Sequence, residues 1–160
     1  SLSEAAARAY TSIAGGESLT LAYRPDVKQP EELPVVLAKA RSSDIRQRQT
    51  QRGPHRDDLE ILIDGRPARS HSSQGQQKTA ALALKLAELD LIAAGTREPP
   101  VLMLDEVLAE LDGHRADRFF RTIGSEVQCV MTTTETGGHL RPYIADATSF
   151  RITRGHLEKA

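Results

Sequence analysis

Four consecutive apolar residues, Val101-Leu102-Met103-Leu104, run directly into two acids, Asp105 and Glu106. An unbroken apolar run of this length lacks the alternation of a half-wet strand, and it predicts a central strand buried on both faces. Such strands belong to parallel sheets, which need crossover helices between their members. Strand-like and helix-like segments alternate from about residue 57 onward, so the expected fold class is α/β. In that class ligands gather at the carboxyl ends of the strands, which is where Asp105 and Glu106 stand.

The flanking segments carry their own signals. Residues 3–14 predict a short helix: Glu4 follows Ser1 at capping-box spacing, Ala5 to Ala9 favour helix, and Gly15-Gly16 stop it. Ser18 to Tyr23 alternate with Leu19, Leu21 and Tyr23 on one side, a strand closed by Pro25. Pro30 opens a helix over roughly 31–50, which Gly53-Pro54 ends. Leu59, Ile61 and Ile63 alternate into Asp64-Gly65, a hairpin turn, with a return strand over about 66–71. A helix over 74–94 has Ala and Leu on nearly every face, predicting burial, with Gly95 as its cap. Asp112 caps another helix, ending near Gly124, and Val127 to Met131 reads as a second buried strand. Thr148 to Thr153 is the last expected strand, with Phe150 and Ile152 inward and a turn at Gly155. A composition shift near residue 53 divides the chain into 1–52 and 53–160.

Composition removes several function classes. Apolar residues at 39% and charged residues at 27% fit a folded chain rather than general disorder. No run approaches the roughly 18 apolar residues of a membrane helix, and no apolar signal segment opens the chain. Cys129 is alone, which excludes an internal disulfide framework and a Cys-rich zinc site and fits a reducing cytosol. The net charge of −1 does not demand a nucleic-acid partner. The start at Ser1, without an initiator Met, fits a processed or excised piece of a longer protein.

The adjacent carboxylates can divide a reaction. One would hold magnesium directly or through water, and the other would orient and deprotonate an attacking water; a plain strand followed by an acidic helix cap is the alternative. Ser72-Ser73-Gln74-Gly75-Gln76-Gln77-Lys78 opens the long helix. Capping-box spacing of Ser73 and Gln76 explains it without any ligand. The same geometry also makes an anion site, with the Ser73 hydroxyl and Gly75 amide as donors to a phosphate. Gly75-Gln-Gln-Lys78-Thr79 is not a phosphate loop, because no Gly stands immediately before Lys78. Asp112 is explained as a helix cap, yet its closeness in sequence to Glu106 allows a role at a shared site.

Between Lys39 and Arg56 lie six basic residues against the single acid Asp44. Arg41, Arg48 and Arg52 recur there at helical spacing on one face. Either this is a solvated helix face or it tracks nucleic-acid phosphates. With no Trp and three each of Phe and Tyr, base stacking is poorly supplied, and duplex or junction backbone suits the stripe better. His55, Arg56, Asp57 and Asp58 predict an internal salt bridge at the residue-53 junction rather than a metal site. His71, His114, His139 and His156 show no ligand spacing, and Cys129 reads as a core residue.

Taken in order, these segments resemble the ABC-type ATPase core. Ser73-Gln74-Gly75-Gln76 stands where the signature motif does, Asp105-Glu106 where the Walker B strand ends, and Ala109 to Asp112 where the D-loop lies. The 29 residues from Gln76 to Asp105 exceed the usual transporter spacing and are similar to the SMC-like branch. Gly53-Pro54-His55-Arg56-Asp57-Asp58, followed by a strand, the Asp-Gly turn and Ser-Gln-Gly-Gln-Gln-Lys, resembles the RecF family of bacterial recombination mediators. The match runs in order from about residue 53 to 135.

The resemblance implies the C-terminal half of an ABC-type head with a remnant of a helical arm, the Walker A loop lying upstream in a segment absent here. It implies a cytoplasmic DNA-binding ATPase of DNA damage repair and the SOS response, which dimerises around ATP and, with RecO and RecR, helps load RecA at single-stranded gaps. On that pattern Glu106 is the general base and Asp105 holds Mg2+. Ser73, Gly75, Gln76 and Asp112 then act in trans on the partner's ATP. This piece alone is expected to be inactive and to expose apolar edges. Two departures stand out: Gln74 replaces the first Gly of the usual signature, and Thr132-Thr133-Thr134-Glu135 replaces the His that follows the next strand, with no His nearer than His139. Threonine donates a hydrogen bond but no charge, so hydrolysis is expected to be slow. A transporter subunit, and a DNA clamp in which hydrolysis is incidental, remain the competing classes.

Overall fold

Helix α1 (Leu2–Ala14) forms because Ser1 and Glu4 close the expected capping box, and it ends where Gly15 turns left-handed at φ 81°. The left-handed backbone favours glycine there, and a Cβ would in addition displace the guanidinium of Arg118. Strand β1 (Leu19–Arg24) follows, then a 3-10 turn (Pro30–Glu32), helix α2 (Leu33–Gln47) and a second 3-10 turn (Pro54–Arg56). Strand β2 (Asp58–Ile63), strand β3 (Arg66–Pro67), helix α3 (Ala68–His71) and the 22-residue helix α4 (Gln74–Gly95) come next. The remainder comprises β4 (Leu102–Asp105), α5 (Gly113–Ile123), β5 (Cys129–Thr132), a 3-10 turn (Gly138–Leu140), α6 (Arg141–Ile144), β6 (Phe150–Thr153) and β7 (His156–Lys159). The computed structural model describes residues 1–96, 100–106, 111–124, 127–134 and 138–159, with only the backbone of His139. The α/β class expected from the alternation is the one observed.

Three sheets form among the described residues. β1, β2 and β3 make an antiparallel sheet, β4 and β5 a parallel pair, and β6 and β7 a hairpin. Asp64 and Gly65 both take positive φ, the primed turn that matches strand twist, so Ile63 pairs with Arg66 and Leu62 with Pro67; on its other edge β2 pairs with β1, Ile63 opposite Leu19. The core lies where α1 packs on α4 and α5. Its α1 face carries Ala5, Ala6, Ala9, Tyr10 and Ile13; its α4 face carries Thr79, Ala80, Leu82, Ala83, Leu86 and Ala87. So many alanines bring the helices close, and Tyr10, Ile13 and Phe119 fill the remaining space. β1–β2 pairing and α1–α4 packing both cross residue 53.

Several expectations need correction. The helix expected over 31–50 ends at Gln47, because Arg48 turns left-handed at φ 52° and the Asp44 carboxylate then accepts the Gln51 amide. The return strand expected over 66–71 stops at Pro67, which gives way to α3. Gly95 is the last helical residue of α4 rather than its cap, and Leu91 and Ile92 beyond the buried half are exposed. Tyr23 points outward, its hydroxyl donating to Asp57.

The buried strands are the largest departure. β4 buries Leu102 and Leu104, but Met103 is 78% exposed. In β5, Val130 and Cys129 are exposed, so Cys129 is not a core residue. Phe150 and Ile152 are exposed as well. An apolar run states what a strand needs to bury; burial itself requires a covering layer, and none of the described residues covers these faces. No helix among the described residues is long and apolar enough to cross a membrane.

The α1–α4 seam yields a direct test. Ala83→Leu forces a branched side chain into a fully buried position and should destabilise by about 1–3 kcal/mol, read as a lower urea midpoint. An unchanged midpoint would mean that the helices are not in close contact.

Candidate functional site

Parallel pairing sets the first cluster. β4 and β5 run in register with Asp105 opposite Thr132. The Thr132 hydroxyl donates to Asp105 Oδ1, and the Glu106 amide donates to both the carbonyl and the hydroxyl oxygen of Thr132, each at 3.2 Å. Glu106 takes φ 51°, a left-handed backbone in which a non-glycine residue is uncommon. That conformation costs on the order of 1–3 kcal/mol and is concentrated at functional sites. Both carboxylates face solvent at the strand end. A single exposed carboxylate fits magnesium, which keeps several waters and relies on substrate phosphates rather than a protein cage. Among the described residues no group of three or more His, Cys, Asp or Glu is gathered around a point.

The second cluster surrounds the start of α4. Ser73 caps it: Ser73 Oγ accepts from the Gln76 amide at 3.2 Å, and Gln76 Oε1 accepts from the Ser73 amide at 2.8 Å. The reciprocal box leaves the amides of Gln74 and Gly75 at the dipole's positive end. Gln77 Nε2 donates to the carbonyls of Ala68 and Ser72, tying α3 to the same turn.

Two neighbours were invisible in the sequence. The first is Glu17: its Oε1 accepts from Gln76 Nε2 at 3.0 Å and its Oε2 from the fully buried Tyr10 hydroxyl at 2.7 Å. Burial, then the bond to Glu17, pushes the Tyr10 phenol well above its usual range. The second is Arg115, whose guanidinium lies 2.8 Å from where a Cβ of Gly75 would stand. Its Nε sits 3.7 Å from Asp112 Oδ2. Asp112 caps α5 by accepting from the amides of His114 and Arg115 at 3.1 and 3.0 Å. Arg115 thus lies between the Asp112 cap and the start of α4. Among the described residues no hydrogen bond joins Asp105 or Glu106 to Ser73, Gly75, Gln76 or Asp112. Ala109, Glu110, Glu135 and the side chain of His139 lie outside the described residues.

The basic stretch is rearranged. Arg41 is on α2, but Arg48 is the left-handed residue that ends the helix and Arg52 lies beyond it, so the three do not share a helix face. Arg52 Nε bonds both carboxylate oxygens of Asp26, at 3.0 and 2.9 Å, and the Gly53 amide adds a bond at 2.8 Å. That amide, then Arg52, holds the Asp26 carboxyl below the usual carboxylate range. The salt bridge expected among His55, Arg56, Asp57 and Asp58 is therefore replaced by Arg52–Asp26, while Asp57 accepts from Tyr23 and the Asp26 amide.

No protein-family model matches the chain. It is 42% identical over 156 residues to a DNA replication and repair protein RecF of Synechococcus sp. (strain JA-2-3B'a(2-13)), covering 91% of this chain and 41% of that protein. With RecF of Bacillus subtilis (strain 168) the identity is 41% over 154 residues, covering 91% and 42%. A solved structure of the recombination mediator protein RecF-ATP in the RecFOR pathway superposes with a TM-score of 0.71 at 33% identity, covering 99% of this chain and 43% of that one. A structure of SMC ATPases shares the fold, with a TM-score of 0.60 at 16% identity. The chain is RecF-like, similar to the C-terminal portion of such proteins, and it spans about two-fifths of the length of the curated relatives it matches.

The Asp112 cap has a pH signature. Bonds from the Arg115 amide, and less from Arg115 charge and the His114 amide, hold its carboxyl below the usual range. A depressed folded-state pKa means the contribution is complete above the ordinary carboxylate value and is lost as pH falls through the folded one. Asp112→Ala should cost about 1 kcal/mol at neutral pH. Asp112→Asn should keep neutral stability and flatten the acid limb; an unaltered limb would show that Asp112 does not titrate with folding.

Proposed function

We propose that this chain is the signature-bearing half of an ABC-type ATPase head in a RecF-type DNA replication and repair protein. One observation carries the reading: Asp105 and Glu106 end a parallel strand, locked there by Thr132, in a RecF-like chain whose α4 begins with a capped Ser-Gln-Gly-Gln turn. Residues 53–160 would form the head half and α2 with its flanks, within 1–52, the arm remnant. The open apolar faces of β4, β5 and β6 would be covered by the upstream half, which would also bring the phosphate loop.

In the assembled homodimer, the Ser73 hydroxyl and the Gly75 amide would donate to the γ-phosphate of ATP bound by the partner subunit, with the α4 dipole favouring the anion. Glu106 would accept a proton from the attacking water as its oxygen bonds phosphorus and the bond to ADP breaks. Magnesium, held by Asp105 directly or through water, would neutralise phosphate charge. Asp112, coupled to Gly75 through Arg115, would transmit the state of one site to the other. Thr132 orients Asp105 without contributing charge, which favours slow turnover. Cytoplasmic work on duplex or gap-junction DNA with RecO and RecR, leading to RecA loading, is the proposed setting, with Arg41 and Arg48 as phosphate contacts and Arg52 committed instead to Asp26.

Two outcomes check this in the longer protein. Glu106→Gln should abolish hydrolysis yet keep ATP-dependent dimers; retained turnover would demote Glu106 to a strand cap. Changing Arg41 and Arg48 together to Ala should lower the salt slope of DNA binding by roughly two. An unchanged slope would remove these arginines from the DNA interface.

A further inference from the structure

We propose that Glu17 is a positioning residue for the phosphate-binding turn, acting through Gln76; the inference rests on the ATPase reading above. Glu17 lies 59 residues from Gln76 in sequence, in the short link between α1 and β1. Its two carboxylate oxygens serve different elements. One accepts the Gln76 side-chain amide at 3.0 Å, and the other accepts the Tyr10 hydroxyl, on the buried face of α1, at 2.7 Å. With Nε2 held by Glu17, Gln76 presents Oε1 to the Ser73 amide at 2.8 Å. The side chain that closes the capping box is therefore aimed by a residue outside α4.

The choice of glutamine at position 76 supports this. A glutamate there would close a capping box equally well. It would, however, set a second carboxylate against Glu17 and add negative charge beside a phosphate. Glutamine, unlike ionised glutamate, offers an acceptor to Ser73 and a donor to Glu17 at once. The free amides of Gln74 and Gly75 are then presented from a turn anchored to the core through Tyr10, which is fully buried. Preorganised donors of this kind bind an anion without first having to be ordered.

The test is a double-mutant cycle in the longer protein, read by ATP-dependent dimerisation, with thermal unfolding followed separately. Glu17→Ala and Gln76→Ala should each weaken ATP-dependent dimerisation roughly tenfold, as expected on losing a hydrogen bond to a charged group. The double variant should be no weaker than either single one, because Glu17 acts only through Gln76. Multiplying effects, or a loss of thermal stability with dimerisation unchanged, would overturn the positioning role. Glu17→Gln keeps the side chain's size and one acceptor oxygen, and it should give a smaller loss in the same direction if the alanine variant does not fold. A parent protein that forms no ATP-dependent dimers would overturn the ATPase reading itself, and the role of Glu17 with it. Normal dimers in the parent and in every variant would remove Glu17 alone.

Discussion

The parallel register of β4 and β5 is the constraint on which the candidate site depends. It sets Thr132 opposite Asp105, and from there one side chain does two things: it donates to the Asp105 carboxylate, and it accepts the amide of Glu106, which turns left-handed. A slip of one residue would reverse the faces of every side chain on the strand. Asp105 would then leave the edge where a ligand can reach it. The pairing explains why two adjacent acids can take different roles: one is anchored to its neighbour strand, and the other is carried off the sheet by its own backbone.

Features whose chemistry closes within a few residues were legible in the sequence. The capping boxes at Ser1–Glu4 and Ser73–Gln76, the Asp112 cap and the Asp64-Gly65 turn all formed as read, since each joins groups three or fewer positions apart. What depends on one dihedral or on distant partners was not. A single left-handed residue, Arg48, breaks the register that would have aligned Arg41, Arg48 and Arg52. Glu17 and Arg115 carry no motif; only the packing of α1 on α4 and α5 brings them to the start of α4. Burial likewise depends on distant partners, because hydrophobicity along β4 and β5 reports demand for cover and not the presence of it.

Among the described residues no hydrogen bond links the start of α4 to the end of β4, an arrangement that composite sites shared between two copies would explain. If each turn serves nucleotide held by another copy, donors at Ser73 and Gly75 need no local acid, and Glu106 needs no local donor. Coupling then falls to the groups that bridge elements: Arg115 between Asp112 and Gly75, and Arg118 against the left-handed end of α1. Helix α1 touches both α4 and α5, so it is the body that holds the start of α4 and the Asp112 cap in a common geometry.

The most direct test mixes two individually inactive forms of the longer protein, one carrying Ser73→Arg and the other a disabled upstream phosphate loop. In a two-fold dimer with composite sites, half of the randomly formed dimers are mixed and each has one intact site, so turnover should recover to about a quarter of the parent's. Recovery at that level is the predicted result. A mixture as inactive as its components would contradict action in trans and with it the account given for Ser73, Gly75 and Glu106.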